Sequence, residues 1–354
     1  MPRIALIPGD GIGVDVTREA AKVLRCVSDA HRLGLELVTW DLGAERYLRT
    51  GSAITDEEMS ELASYDAIFL GAMGDARVPD HAHARAILLG MRFRFDLFIN
   101  LRPVRLLDER LCPLKDVIAD DVDMVIFREN TEGLYVGVGG QFKRGTPDEI
   151  AVEQDINTRK GVERIIRAAF EYARRYKRRR VTLTDKANAM QHAGELWRRV
   201  FKEVGSEFGG VEQNAVYVDA LALDLVRRPA QYDVIVAPNL FGDILSDLAA
   251  ALVGGLGLAP SANLHPGKPG LFEPVHGSAP DLVGTGNANP FAAILTVGLM
   301  LQQLGHPDLN AAVEKTVQHA LKERQTTPDL GGTMGCAEVG DWICEALNRT
   351  TSYE

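Results

Sequence analysis

Asp233-Val-Ile-Val-Ala-Pro-Asn-Leu-Phe-Gly-Asp-Ile-Leu-Ser-Asp247 reads as a buried strand feeding directly into a helix. The apolar run 234–237 has the length and β-branched content of a strand covered on both faces. A helix that starts near Asn239 projects Asp243 and Asp247 from one face, one turn apart. Hard divalent cations such as Mg²⁺ want oxygen ligands, and this pair leaves coordination positions open for a substrate. The first expectation is therefore a metal-assisted reaction on a small oxygenated molecule. The plainer alternative is an amphipathic helix with two solvated acids.

The same strand-then-loop pattern recurs along the chain. Strands are expected at Ile4–Ile7, Ala67–Leu70, Met124–Phe127, Val181–Leu183 and Val234–Ala237. Each is followed at once by glycine-rich or polar sequence, and the intervening stretches have helical periodicity. That alternation predicts an α/β protein with mostly parallel strands, whose ligands bind at the strands' carboxyl ends. The clearest helix is 159–175, where Val162, Ile165, Ile166, Ala169, Phe170 and Ala173 form one apolar face. Arg174 to Arg180 is read as its cationic, solvated end. From Tyr135 to Asp155 the chain is glycine-rich and weakly periodic, too long for a simple connection. An arm reaching to a partner subunit is one reading.

Bulk properties narrow the class. The 354 residues favour two lobes, because a single core rarely grows past roughly 250–300 residues. A net charge of −10 argues against nucleic acid as the main partner, although a local arginine cluster still admits anionic substrates. Cys26, Cys112, Cys336 and Cys344 are widely spaced, which suggests reduced thiols and a cytoplasmic setting. Neither a signal peptide nor a membrane span is expected, since no apolar run approaches the ~20 residues a span needs.

Several constellations carry chemistry. Arg92 and Arg102 flank an expected strand and Arg128 ends another; three converging guanidinium forks would suit a di- or tricarboxylate. Tyr135 and Lys186 are candidate proton carriers, each more ordinarily a packed ring or a surface amine. Asp219 lies in the apolar run Val216 to Leu221, where an unpaired carboxylate would be costly and a metal or cationic partner is expected. Gly9-Asp10-Gly11-Ile12-Gly13 is G-x-G-x-G, a weak match to a dinucleotide fingerprint. Glu273-Pro-Val-His-Gly-Ser-Ala-Pro-Asp281 is rich in turn formers and backbone donors that could wrap a nucleotide, with Asp281 on ribose hydroxyls.

Together these segments resemble the β-decarboxylating dehydrogenases, the family of isopropylmalate, isocitrate, homoisocitrate and tartrate/D-malate dehydrogenases. The resemblance runs from Ile7-Pro-Gly-Asp-Gly-Ile-Gly13 to Thr327-Pro-Asp-Leu-Gly-Gly332. Its sharpest pieces are Asn100-Leu-Arg-Pro103, Arg128-Glu-Asn-Thr-Glu-Gly-Leu-Tyr135, Asp185-Lys-Ala-Asn188 and Asn239 to Asp247, with Phe272 to Asp281. It implies a two-lobed α/β fold of the isopropylmalate dehydrogenase type with a mostly parallel sheet, distinct from the Rossmann fold. Residues 1–98 with 252–354 would form the cofactor-binding lobe, and 99–251 the metal, substrate and dimerisation lobe with arm 135–155.

The resemblance also implies roles. Arg92, Arg102 and Arg128 would grip the malate carboxylates. Asp243 and Asp247, with Asp219 of the other subunit, would hold Mg²⁺ or Mn²⁺. Lys186, also from the partner, would take the hydroxyl proton, and Tyr135 would protonate the enol left after decarboxylation. Glu273, His276, Gly277, Ser278, Ala279, Pro280, Asp281 and Asn289 would bind the cofactor. NADP-using relatives carry lysine and tyrosine where this chain has Asp281 and its neighbour, so NAD is expected. Asn287 departs from the apolar residue commoner in NAD-using relatives. The active form would be a homodimer with shared sites.

Substrate signals point in different directions. Seven residues before Arg92 stands Arg85, followed by Leu88 and Leu89. Isopropylmalate enzymes typically have glutamate at that first position and an apolar pair at the later two. The leucines favour an apolar C3 substituent, Arg85 an anionic one, and Val78 to His81 resembles tartrate/D-malate enzymes. The first choice is 3-isopropylmalate; tartrate/D-malate or (homo)isocitrate is the alternative. A non-catalytic regulatory subunit is a remote one, because Tyr135, Lys186 and all three aspartates are present.

Overall fold

A computed structural model describes residues 1–351. The chain is α/β and divides into two compact units. The first comprises Met1–Leu97, Arg105–Ala119 and the segment from Ala250 onward; the second comprises Phe98–Val104 and Asp120–Ala249.

In the first unit the strand order is Glu36–Thr39, Arg3–Gly9, Ala67–Ala72, Gly270–Pro274, Pro260–Leu264. Neighbours are parallel except the last pair, which is antiparallel with Ser261 opposite Glu273. Every residue of Ala67–Ala72 is buried, as a strand covered on both faces requires. Helix Phe291–Gln303 is buried around its whole circumference up to Leu301. Its sequence has no polar face, which is why it reads as a core helix. A second cluster joins Ile7, Ile68 and Leu70 to Ile87, Met91 and Phe95, anchoring the segment that carries Arg85 to Leu89.

In the second unit the strand order is Ile99–Arg105, Asp123–Glu129, Val234–Ala237, Arg180–Asp185, Glu212–Tyr217. Val234–Ala237 pairs in parallel with both its neighbours, and Arg180–Asp185 with Glu212–Tyr217. Arg102 therefore lies on a strand, not beside one. Helix Arg159–Arg175 starts where the Thr158 side chain accepts from Gly161 N, and it buries the six-residue apolar face expected of it. Each of its larger apolar side chains contributes about 1.5–3 kcal/mol by leaving water. The basic run that follows is neutralised locally: Arg178 pairs with Asp123 and Asp233, and Arg180 with Glu212. Residues 139–142 and 150–153 form a two-stranded antiparallel ribbon, exposed along both strands.

One local expectation is corrected. Asp219 does not sit inside a buried apolar run. The strand ends at Tyr217, helix Val218–Arg227 begins, and the Asp219 carboxylate is solvent-exposed in the first turn. The hydrophobic string spans two elements, so only alternate side chains face inward. No helix among the described residues is long and apolar enough to cross a membrane.

Candidate active site

Helix Asn239–Ala251 starts two residues after its strand, and Asp243 and Asp247 project from it one turn apart. Two arginines of the same unit meet them. Arg128, almost fully buried, engages Asp243 Oδ1 and donates from Nε to Asn239 Oδ1 at 2.9 Å. Arg102 lies 3.3 Å from Asp243 and 3.3 Å from Asp247, and it donates to Ser246 Oγ. Tyr135 donates its hydroxyl to the other oxygen of Asp243, with the Arg128 guanidinium stacked 4.9 Å over its ring. Gly242 makes this approach feasible: a Cβ there would sit 2.7 Å from the Arg128 Cβ. The quartet Arg102, Arg128, Tyr135 and Asp243 is thus assembled by close packing.

Burial pushes the Asp247 carboxyl above the usual carboxylate range, Arg102 opposes this, and the neighbouring Asp243 charge adds to it. A half-buried carboxylate with a second acid one turn away is what a divalent cation relieves, so the oxygen donor set fits Mg²⁺ or Mn²⁺. Within one chain the acids remain a pair, since no cluster of three His, Cys, Asp or Glu suited to a metal occurs among the described residues. Asp219 instead accepts an ion pair from Lys186 at 2.8 Å, which holds it below the usual carboxylate range. Beneath Lys186, buried Asp185 is fixed by Arg198 at 2.7 and 3.0 Å and by the Ala187 N–H at 3.0 Å. That clamp sets the direction of the lysine.

The nucleotide-type residues all belong to the first unit. Gly11 has φ +57°, and a Cβ on it would meet the Ser278 carbonyl at 2.0 Å; the Ile12 N–H donates to the same oxygen at 2.9 Å. The two glycine-rich segments therefore rest on each other. His276 Nδ1 is 3.0 Å from the Gly277 carbonyl, which assigns the proton to Nδ1. Its Nε2 is buried and has no partner, an acceptor aimed at nothing the protein supplies. Burial also lowers the imidazole's pKa, keeping it neutral. Asp281 is exposed on the turn Pro280–Leu282, and nothing lies within 4 Å of where a Gly277 Cβ would stand. Asn289 is engaged by Asp329 and by the Phe291 N–H. An orphaned acceptor beside open backbone and a free carboxylate fits an adenosine moiety.

Arg92 is in the first unit, where it is buried against Glu273 at 2.9 Å, and Asn263 donates to the same oxygen. Glu273 is thus occupied by protein donors. Arg85 is exposed, while Leu88 and Leu89 are half-buried on the π-helical turn Arg85–Leu89. Sequence reasoning gave no separate role to Asn239, Ser246 or Asp185. The first two lie in the quoted motif, but which side of the helix meets an arginine emerges only once the strands are aligned.

Residues 3–343 match the sequence model of the family described as isocitrate/isopropylmalate dehydrogenase. The chain is 46% identical to 3-isopropylmalate dehydrogenase of Thermobifida fusca over 98% of its own length and 97% of that protein's. It is 46% identical to that of Beutenbergia cavernae over 96% of each. Among solved structures, isocitrate dehydrogenase from Methylococcus capsulatus superposes with a TM-score of 0.89 at 36% identity, covering 98% of this chain and all of that one. A beta-decarboxylating dehydrogenase from Thermococcus kodakarensis gives a TM-score of 0.82 at 35% identity, with 99% and 98% covered.

Proposed function

The chain belongs to the isocitrate/isopropylmalate dehydrogenase family, and from that premise we propose that it catalyses the NAD-dependent, divalent-metal-dependent oxidative decarboxylation of a 3-substituted D-malate, with 3-isopropylmalate as substrate. The observation that carries the chemistry is the cluster of Arg102, Arg128, Tyr135 and Asp243, with Asp247 one turn on. Such a set binds carboxylates and holds a proton donor beside a cation site.

Arg102 and Arg128 would grip the substrate carboxylates, exchanging their present acidic partners for those of the ligand. Asp243 and Asp247, with Asp219 of a second copy, would hold Mg²⁺ or Mn²⁺. Such an ion supplies Lewis acidity at the C2 oxygen and at the new ketone. Lys186 of that second copy would accept the C2 hydroxyl proton, its pairing with Asp219 keeping the amine near the site. A nicotinamide held by the residues around His276 and Asp281 would supply the hydride acceptor for C2. A ketone β to the departing carboxylate then makes loss of CO₂ feasible, and Tyr135 would protonate the enol carbon. On the cofactor side, His276 Nε2 would accept a hydrogen bond from the adenosine half and Asp281 would receive the ribose hydroxyls. A 2′-phosphate there would face the carboxylate's charge, which favours NAD over NADP.

This reading makes the active form a homodimer, with the exposed 139–153 ribbon as an arm between copies, and it fits a cytoplasmic enzyme with free thiols. The relatives named 3-isopropylmalate dehydrogenase favour that substrate over tartrate, D-malate or (homo)isocitrate. The test is NADH and CO₂ formation by the purified chain with Mg²⁺, NAD and a panel of 3-substituted malates. Fastest turnover of 3-isopropylmalate is expected. Faster turnover of isocitrate or tartrate would move the assignment within the family, and no turnover of any would overturn it.

A further inference from the structure

Asp10, in the glycine-rich loop after the first strand, collects three hydrogen bonds from three separate segments. Its Oδ1 accepts from Ala44 N at 2.6 Å, and its Oδ2 accepts from Gly74 N at 2.8 Å and meets His83 Nε2 at 2.7 Å. Both members of the last pair are buried, His83 completely. An imidazole taken fully out of water is costly unless its polar atoms are paired, and Nδ1 here has no partner, so the Asp10 contact alone anchors the ring's polar edge. Tyr47 packs beside it, ring centroids 6.1 Å apart.

The segment His83 holds enters through strained backbone and is helical from Ala82 to Arg94, with Ile87 and Met91 in the apolar core and the π-helical turn in its middle. Asp80 and His81 are consecutive non-glycine residues in the left-handed region, followed by a three-residue helix, Ala82–Ala84. Then comes the π-helical turn Arg85–Leu89, a rare geometry that recurs at functional sites. Between 76 and 90 the buried side chains are Val78, His83 and Ile87, and only His83 is polar. On the other side, Gly11 and Ile12, directly after Asp10, rest on the Ser278 carbonyl. A continuous chain of contacts thus runs from the turn bearing Arg85, Leu88 and Leu89 to the loop expected to hold the cofactor.

We infer that His83 is a positioning residue for substrate selection: by clasping Asp10 it fixes the π-helical turn 85–89 against the glycine-rich loop, and so fixes where the C3 substituent of the substrate is read. The inference rests on the proposed function, in which Arg85, Leu88 and Leu89 meet that substituent. Without the clasp Asp10 keeps two backbone donors, but the turn loses its polar tether and relaxes toward ordinary helical register. Discrimination then suffers more than turnover, because no proton carrier or acid of the reaction lies on this segment.

The test compares His83→Phe, which keeps the ring but removes the donor, with His83→Gln, which restores one. Each is assayed with 3-isopropylmalate and with D-malate, which lacks the branch. His83→Phe is expected to lower kcat/KM for 3-isopropylmalate at least tenfold through KM, with kcat and the D-malate value each within threefold. His83→Gln is expected to return the preference to within threefold of the unsubstituted protein. An unchanged preference, or equal loss on both substrates, would overturn the inference. Should His83→Phe not fold, His83→Asn, whose amide falls short of Asp10, is read against the same two outcomes. If the unsubstituted protein prefers another 3-substituted malate, the substrate assignment fails and the same ratio is read for that compound.

Discussion

Tyr135 donates its phenolic hydrogen to Asp243, and the opposite oxygen of that carboxylate faces Arg128 and Arg102. The proposed proton donor and a proposed metal ligand therefore share a hydrogen bond. Arg128 stacked on the ring fixes its plane, so the hydroxyl has one direction in which to point. In the proposed reaction, a cation on the Asp243 carboxylate would free the phenol to face the substrate.

Tyr135→Phe removes that proton and little else, because the ring and its stacking partner stay. We expect kcat for 3-isopropylmalate to fall by about 10²-fold or more, the usual contribution of a positioned general acid. KM should move less than about threefold, since no substrate-gripping charge is lost. Steady-state kinetics with Mg²⁺ and NAD checks both numbers; a collapse in KM with kcat intact would assign Tyr135 to binding.

Cofactor choice should answer to one exposed charge. Asp281 stands exposed on a surface turn, so Asp281→Lys leaves packing intact. Reversing the sign next to a 2′-phosphate should raise the NADP-to-NAD ratio of kcat/KM by at least about tenfold. Measuring both cofactors at fixed substrate decides it, and an unchanged ratio would move the adenosine ribose elsewhere.

Arg85 carries the conflict over substrate. It is exposed on the π-helical turn, free to reach an anionic C3 group or to turn into water. Arg85→Val should change the isocitrate-to-isopropylmalate preference by at least about tenfold, a typical effect of one pocket charge. No change would mean that Arg85 is not a specificity residue and that Leu88 and Leu89 set the choice.

The strands were legible because each is a short apolar run closed by glycine or polar residues, and Val234–Ala237 keeps the bounds read from the sequence. The pairing of Asp243 and Asp247 on one helix face was legible for the same reason, local periodicity. Asp219 has the cationic partner expected of it but not the burial, because a continuous hydrophobic string conceals the change from strand to helix at Tyr217. Asn239 and Ser246, which orient the two arginines, sit inside a recognisable motif. Their task depends on strands more than a hundred residues away in sequence. The His83–Asp10 clasp spans 73 residues and leaves no periodic trace. What the sequence conceals is the contact that topology makes.

His276 gives a pH dependence with a definite sign. Burial lowers its pKa in the fold, whereas the unfolded chain takes the proton at the ordinary imidazole value. Between those two values the unfolded state binds more protons, so stability is lost as pH falls and is fully present above the ordinary value. Urea unfolding at about pH 7.5 and about pH 5 should show a smaller loss for His276→Asn than for the unsubstituted protein. Identical losses would place the titrating group elsewhere.

Shared active sites predict complementation between two dead variants. Lys186 pairs with Asp219 in one chain, while Asp243 and Asp247 form a separate pair with Arg102 and Arg128. If a working centre draws Lys186 from one copy and Asp243 from the other, Lys186→Met and Asp243→Asn each destroy both centres of their own homodimer. In a mixed dimer one centre receives both lesions and the other receives neither. Unfolding and refolding an equimolar mixture should place about half the chains in mixed dimers with half their centres intact. Activity should then return to about a quarter of the unsubstituted level. Recovery can come only from centres built across two copies, and a mixture as inactive as its components would mean that each chain carries its own lysine and aspartates to one site.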